Sequence, residues 1–183
     1  MLNITSGIYR SRKLKFDEKN VNLRPTKNNV RNALFSIIKN EVGNSTFLDM
    51  FGGTGAIGIE AISNNAKHVV FYENNKENIS FLKTNIKELK IDSNHYQIEE
   101  KDVMKELKNI NKTFDIIFVD PPYKKYDYQS LLDLIFESKV LNKNCLIIFE
   151  SEKELIFSNF EFQYKIYKYG RVYLTKLWNV KRK

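Results

Sequence analysis

The residues best suited to chemistry are four acids and a pair of prolines. Asp49, Glu73, Asp102 and Asp120 each close an apolar run or follow just behind one. Asp120 opens Asp120-Pro-Pro-Tyr123, directly after Phe114-Asp-Ile-Ile-Phe-Val119. A carboxylate followed by the Pro121 carbonyl presents two hydrogen-bond acceptors on a loop that two prolines stiffen. That pair suits the exocyclic amino group of a base, whose lone pair is delocalised into the ring. Accepting both of its N–H bonds draws the nitrogen towards a tetrahedral shape and aims the lone pair at an electrophile. Tyr123 supplies a ring on which a base turned out of its helix can stack. Asp120, Pro121 and Tyr123 are therefore the catalytic candidates.

The second site is a glycine-rich turn. Gly52, Gly53, Gly55 and Gly58 all lie in Phe47-Leu-Asp-Met-Phe-Gly-Gly-Thr-Gly-Ala-Ile-Gly-Ile-Glu60, in a chain with only seven glycines. Such a turn lets backbone come close to a ligand. Gly53-Thr-Gly55-Ala-Ile-Gly58 matches G-x-G-x-x-G, and Glu73 follows at about the 20-residue spacing of an acid that binds ribose hydroxyls. A nicotinamide oxidoreductase is one reading. Against it, Asp49 would lie beside a pyrophosphate and repel it, and hydride transfer has no use for Asp-Pro-Pro-Tyr. S-adenosylmethionine fits better, because it carries a ribose, an adenine and a cationic methionine end but no phosphate. Asp49 then faces the cationic end, Glu73 the ribose and Asp102 the adenine amino group.

At 183 residues with 42% apolar content, one domain with a small appendage is expected. The 30 Lys and Arg against 22 Asp and Glu leave a net charge of +8, which favours a polyanionic partner. The chain is rich in Lys, Asn and Ile throughout, which genome base composition would also produce. Cys145 is the single cysteine, so no disulfide forms within the chain, and a reducing cytosol is expected. His68 and His95 lie far apart without ligand-spaced partners, so no metal site is expected. The N-terminus lacks a signal-peptide pattern, and no apolar run is long enough to span a membrane. A cytoplasmic monomer is the expectation.

The elements that must position these groups follow from periodicity. Strands are expected at 46–51, 67–73, 94–98, 114–119 and 144–150. Helices are expected at 55–64, 75–89, 102–109 and 127–138, with a short one near 152–157. This alternation argues for a parallel sheet with helices on both faces. Runs at 160–167 and 171–178 add an antiparallel hairpin, followed by a frayed tail. At the other end, 2–5 and 14–16 form a basic hairpin carrying Arg10, Arg12 and Lys13. Thr26 is the expected N-cap of a first helix with Val30, Ala33, Leu34, Ile37 and Ile38 on one face. Lys27 and Arg31 oppose the dipole near its start, which suggests that they face a ligand.

Further motifs extend along the chain: Gly7 with the basic segment from Arg10 to Leu14, then Leu23-Arg-Pro-Thr26, Val30-Arg31 and Leu34-Phe35. Leu48-Asp49, Phe51, the glycines, Glu60-Ala61, Phe118-Val-Asp-Pro-Pro-Tyr123 and Glu150-Ser-Glu152 follow. In these residues the chain resembles the RsmD family, the bacterial 16S rRNA guanine-N2 methyltransferases, over nearly its whole length. The resemblance implies a class I S-adenosylmethionine-dependent methyltransferase fold. This is a Rossmann-like, mostly parallel seven-stranded α/β sheet, with a hairpin extension at 1–22 ahead of a domain at 23–183. It implies a cofactor set of Asp49, Phe51, Gly53, Gly55, Glu73, Asp102 and Asp120. Phe51 stands where the wider class has glycine. Arg10, Arg12, Lys13, Arg24, Thr26 and Arg31 are the expected RNA contacts, and the substrate would be 16S rRNA in the small subunit or an assembly intermediate. A DNA or RNA adenine-N6 methyltransferase shares Asp-Pro-Pro-Tyr, and a non-catalytic RNA-binding assembly protein is a further alternative.

Overall fold

The computed structural model of the chain describes residues 2–17, 26–122, 125–158 and 160–182. Arg24, Tyr123 and the expected boundary at 22–23 lie outside the described residues.

Alternation along short apolar strands sets the layers. In β3 (Thr46–Asp49) Phe47 belongs to one core cluster and Leu48 to the other. In β6 (Phe114–Val119) Ile116 and Phe118 join Phe47, while Ile117 and Val119 join Leu48. Strands buried on both faces need helices on both. On the first face pack α1 (Asn28–Ile37), α3 (Ala56–Ser63) and α4 (Lys76–Leu89), through Leu34, Ile59, Leu82 and Ile86. On the second pack α5 (Val103–Glu106) and α6 (Tyr128–Glu137), through Val103, Leu131 and Ile135.

The remaining sheet strands are β4 (His68–Tyr72), β5 (Tyr96–Glu99), β7 (Leu141–Ser151), β8 (Phe160–Tyr169) and β9 (Val172–Arg182). The seven-stranded order is β5-β4-β3-β6-β7-β9-β8, parallel from β5 to β7 and antiparallel in the last two. The direction of winding reverses between β3 and β6. In open α/β sheets the ligand crevice lies beyond the carboxyl ends of the strands at that switch point. Asp49 and Asp120 end or follow these two strands.

At the N-terminus β1 (Leu2–Asn3) pairs antiparallel with β2 (Lys13–Leu14). This hairpin lies on α3 and α4. The Ile8 N–H donates to the Ser63 carbonyl at 2.8 Å, and the Tyr9 N–H to Ser63 Oγ at 2.9 Å. The Asn85 amide of α4 accepts from Lys15 N at 2.7 Å, and donates to the carbonyls of Lys15 and Thr54 at 3.0 Å each. It thereby ties the hairpin to the glycine turn.

Several expectations fail for local reasons. No helix forms at 152–157. There Leu155 is buried, Ile156 exposed and Phe157 half-buried against Phe149, an alternation that lays Leu155 and Phe157 against the second-face core. The expected helix at 102–109 is one α turn followed by a 3-10 turn, Leu107–Asn109. As far as Arg182 the C-terminal tail is not frayed: β9 runs to that residue and Lys181 pairs with Glu161. A short α2 (Lys39–Val42) was not foreseen. Thr26 caps nothing, because the N-cap of α1 is Lys27, which makes no side-chain capping bond.

Candidate active site

The carboxyl ends of β3, β4 and β6 and the residues after β5 surround a cavity of about 690 Å³. That volume is within the range of small-molecule sites. Asp49, Phe51, Gly53, Glu73, Asp102, Asp120, Pro121 and Thr26 all line it. Gly55 does not; it sits at the head of α3 with φ +85°, where a Cβ would come within 2.3 Å of Leu82 Cδ1. Its part is to form the turn. Gly53 has φ +52°, and a Cβ there would meet little beyond the Phe51 carbonyl at 4.0 Å. Gly53 therefore needs glycine for its conformation, and it leaves the cavity side open.

Glu73 is half-buried and saturated. Its Oε1 accepts from Asn74 N at 2.8 Å and Asn75 N at 2.7 Å. Its Oε2 accepts from Gly53 N at 2.8 Å and Asn78 Nδ2 at 3.3 Å. A carboxylate offers about four acceptor sites, so a ribose hydroxyl must displace a donor. The Asn78 amide, at the longest distance, is the one most easily exchanged. Asp102 is half-buried and also caps α5, accepting from Met104 N at 3.0 Å.

Three acids gather on the switch-point side. Asp49, 2% exposed, accepts from Gly58 N at 3.1 Å. Burial pushes its pKa up to about 7, against the hydrogen bonds from Gly58 and Phe51 and with the charge of Glu73 adding to the rise. Burial also raises Asp120 well above the ordinary carboxylate range, and the charges of Glu150 and Asp49 add to this. Glu150 at the end of β7 is 3% exposed and is likewise raised by burial. The Thr26 hydroxyl donates to Glu150 Oε2 at 3.1 Å and is also near enough to Asp120 to oppose the rise of its pKa. A hydroxyl has a single proton to donate, so it can serve only one of the two carboxylates at a time. Among the described residues none of these acids is in an ion pair. The cations lining the cavity are Lys101, paired with Glu99 and Glu106, and Lys125, over the Tyr126 ring.

Buried, unpaired acids of this kind call for a cationic ligand group. The donor set therefore fits S-adenosylmethionine, whose ammonium and sulfonium are cations and which has no phosphate to repel.

Arg31 is elsewhere. It is 0% exposed, with Nε 3.1 Å from Glu60 Oε2, a further bond to the Thr26 carbonyl at 2.8 Å and one to the Asn3 carbonyl. Its expected RNA contact is thus corrected: the cation near the start of α1 answers a buried acid, not a phosphate. Thr26 is likewise buried, is hydrogen-bonded to Glu150 and stands on the cavity wall. Arg10, Arg12 and Lys13 are exposed. The turn that carries Arg10 is anchored at the Ser63 end of α3, one helix length from the cavity end; eight residues span roughly 12 Å.

The sequence profile of the family described as "Conserved hypothetical protein 95" matches residues 2–178. A Buchnera aphidicola protein named Ribosomal RNA small subunit methyltransferase D is 41% identical over 155 residues, covering 82% of this chain and 78% of the relative. The chain belongs to this family. The Haemophilus influenzae member of the same name is 34% identical, covering 84% of this chain and 80% of its own length. The solved structure described as "Putative methyltransferase yhhF from Escherichia coli" superposes with a TM-score of 0.83 at 27% identity over 96% of both chains. The RsmD resemblance and the class I methyltransferase fold are thereby established. Two groups of this RsmD-family chain, Tyr126 on the cavity wall and Glu150 behind it beside Thr26, escaped sequence reasoning as site residues. Glu150 ends an apolar strand as Asp49 does, a signal that was present. Tyr126, whose ring centroid is 5.6 Å from that of Phe51, follows no spacing rule.

Proposed function

We propose that this chain transfers the methyl group of S-adenosylmethionine to the exocyclic N2 of a guanine in small-subunit ribosomal RNA. One observation carries the reading: Asp120 and Pro121 follow the strand beside the switch point, on the wall of the same cavity that Asp49, Glu73 and Asp102 line. The relatives' names supply the substrate class. The cofactor brings a methyl group already bound to a sulfonium, so the protein's task is positioning and electrostatics.

Asp49 answers the cationic end of the cofactor, Glu73 takes the ribose and Asp102 the adenine amino group. The Asp120 carboxylate and the Pro121 carbonyl accept the two N2–H bonds. As the methyl arrives the nitrogen becomes cationic, so the fixed carboxylate binds the transition state more tightly than the ground state. Asp120 then takes the proton that the nitrogen sheds. Tyr123 is assigned to stack on the base. On this reading the chain acts as a cytoplasmic monomer on 16S rRNA, in the subunit or an assembly intermediate.

The test is incubation with labelled S-adenosylmethionine and, separately, undermethylated small subunits, naked rRNA and DNA, with the product nucleoside identified by mass spectrometry. N2-methylguanine in small-subunit rRNA is the expected product. N6-methyladenine, or no transfer, overturns the reading.

A further inference from the structure

The net charge of this chain is not spread over it. Between Phe162 and Arg182 there are six Lys and Arg and no Asp or Glu, which leaves 24 basic against 22 acidic residues everywhere else. Most of the +8 therefore resides in one β-hairpin. The same stretch holds Tyr164, Tyr167, Tyr169, Tyr173 and Trp178. Lysine is the usual guard of a solvated edge strand such as β8, but Arg171 lies in the turn and Lys176, Lys181 and Arg182 lie on the inner strand β9. A compositional lysine bias acts along the whole chain, yet outside this stretch 24 basic residues face 22 acidic ones, so such a bias does not explain where the acids are missing. Neither accounts for a segment of one sign interleaved with rings.

Register places the turn of this hairpin. Glu150 pairs with Leu174 and Ser151 with Tyr173, while Tyr169 pairs with Val172. The turn at Gly170 and Arg171 thus projects past the carboxyl end of β7, about two residues or roughly 7 Å further. It stands on the same side of the sheet as the cavity. At about 4.8 Å per strand, β9 lies two spacings and β8 three from β6, roughly 10 to 14 Å sideways from the strand that precedes Asp120. Lys165, Lys168 and Arg171 are exposed. The Lys165 ammonium lies 5.1 Å from the Tyr167 ring centroid and Lys168 5.2 Å from that of Tyr173. Among the described residues none of these three cations is in an ion pair; the acid nearest in effect is Glu154, acting on Lys168. Lys176, by contrast, is taken by Glu41 at 2.7 Å.

We propose that the turn and outer strand of the C-terminal hairpin, through Lys165, Lys168 and Arg171, bind the phosphate backbone of the RNA strand whose target base enters the cavity. This deepens the methyltransferase reading and rests on it for the identity of the RNA. Phosphate contacts fix register and orientation and carry no sequence information. The half-buried rings of Tyr167 and Tyr173 hold the two ammoniums in place, and Tyr164, 59% exposed on the outer strand, offers the sequence-tolerant stacking that single strands use. Through Arg171 and Lys168 the chain then holds its RNA at the cavity end of the sheet, with Lys165 further down the outer strand, level with Ile148, whereas the N-terminal hairpin turn lies at the other end.

The experiment compares the wild type with the triple variant Lys165→Gln, Lys168→Gln, Arg171→Gln. Binding to naked small-subunit rRNA and to undermethylated subunits is followed across a salt series with S-adenosylhomocysteine present, beside single-turnover methylation. The variant should bind both forms of RNA roughly 10- to 100-fold more weakly at low salt. Its log–log salt slope should be shallower by about 2 to 3, since each phosphate no longer neutralised removes one unit or slightly less. Cofactor affinity by calorimetry should be unchanged, and the charge-preserving Lys165→Arg, Lys168→Arg, Arg171→Lys variant should bind as wild type. Unchanged affinity and slope in the Gln variant overturn the inference. So does weakened binding to subunits with naked rRNA binding intact, which would make the partner a protein on the subunit. A wild type that binds RNA without methylating it refutes the methyltransferase reading and leaves the binding comparison standing.

Discussion

Two acidic sites, one inside α3 and one at the carboxyl ends of the sheet strands, are treated in opposite ways. Glu60, 0% exposed, has a cation and a full set of donors: Arg31, the Thr5 and Ser6 N–H groups at 2.7 and 2.8 Å, and both hydroxyls. Asp49, Asp120 and Glu150 have hydrogen bonds but no ion pair among the described residues. The first site is closed, and its charge holds the N-terminal hairpin, α1 and α3 together. The second is open, and each of its acids is raised above its ordinary range. The difference separates a carboxylate buried with a cation, which holds the fold together, from carboxylates without an ion pair, which we assign to the proposed cofactor and base site.

The comparison can be broken most severely at Glu60. Arg31→Ala leaves that charge buried and alone, and should cost about 3–5 kcal/mol of stability. Urea unfolding measures this, and a loss under about 1 kcal/mol, the scale of an exposed pair, would mean that water or rearrangement replaces the guanidinium. Asp120→Ala removes a charge that nothing pairs. It should leave the fold intact while single-turnover methylation falls by ~10²–10³; near-normal turnover would shift the work to the Pro121 carbonyl.

Proton linkage sharpens the contrast. The Asp49 value near 7 lies above its ordinary 3.8. The group therefore favours the folded state fully below about pH 4 and loses that contribution as pH rises through 7, at about 1.4 kcal/mol per unit. A cationic cofactor relieves the ionised form. The thermal shift given by a fixed excess of S-adenosylmethionine should accordingly grow from pH 5 to pH 8. Asp49→Asn should flatten that curve, and a shift independent of pH in the wild type would contradict the assignment. The smallest effect is at Glu150. Glu150→Gln keeps the Thr26 bond but removes a charge that raises Asp120, so the acid limb of the pH–rate profile should move to lower pH. An unmoved limb would show that Glu150 is silent to Asp120.

Much of this was legible because strand ends are legible. The apolar runs before Asp49, Glu73 and Asp120 placed three acids on one rim, and the strand–helix rhythm pointed to the parallel part of the sheet. Arg31 was misread because an offence against the helix dipole looks the same whether the cation faces solvent or a buried acid on another helix. Glu60 itself sits inside α3, where a helical acid reads as surface. Thr26 was misread because threonine before a helix is ordinarily a cap, and only tertiary pairing of β7 with β6 brings Glu150 to it. The residues at 152–157 have helical composition, but packing of Phe157 against Phe149 and Phe162 overrode it.

The Asn85 side chain joins Lys15 to the carbonyl of Thr54. Thr54 lies in the turn that a cofactor would stiffen, and Lys15 in a segment far from it in sequence. One buried amide therefore makes amide-proton exchange at Lys15 a remote gauge of cofactor occupancy. Adding S-adenosylhomocysteine should slow deuterium uptake there as well as at the glycines, without a single ligand atom nearby.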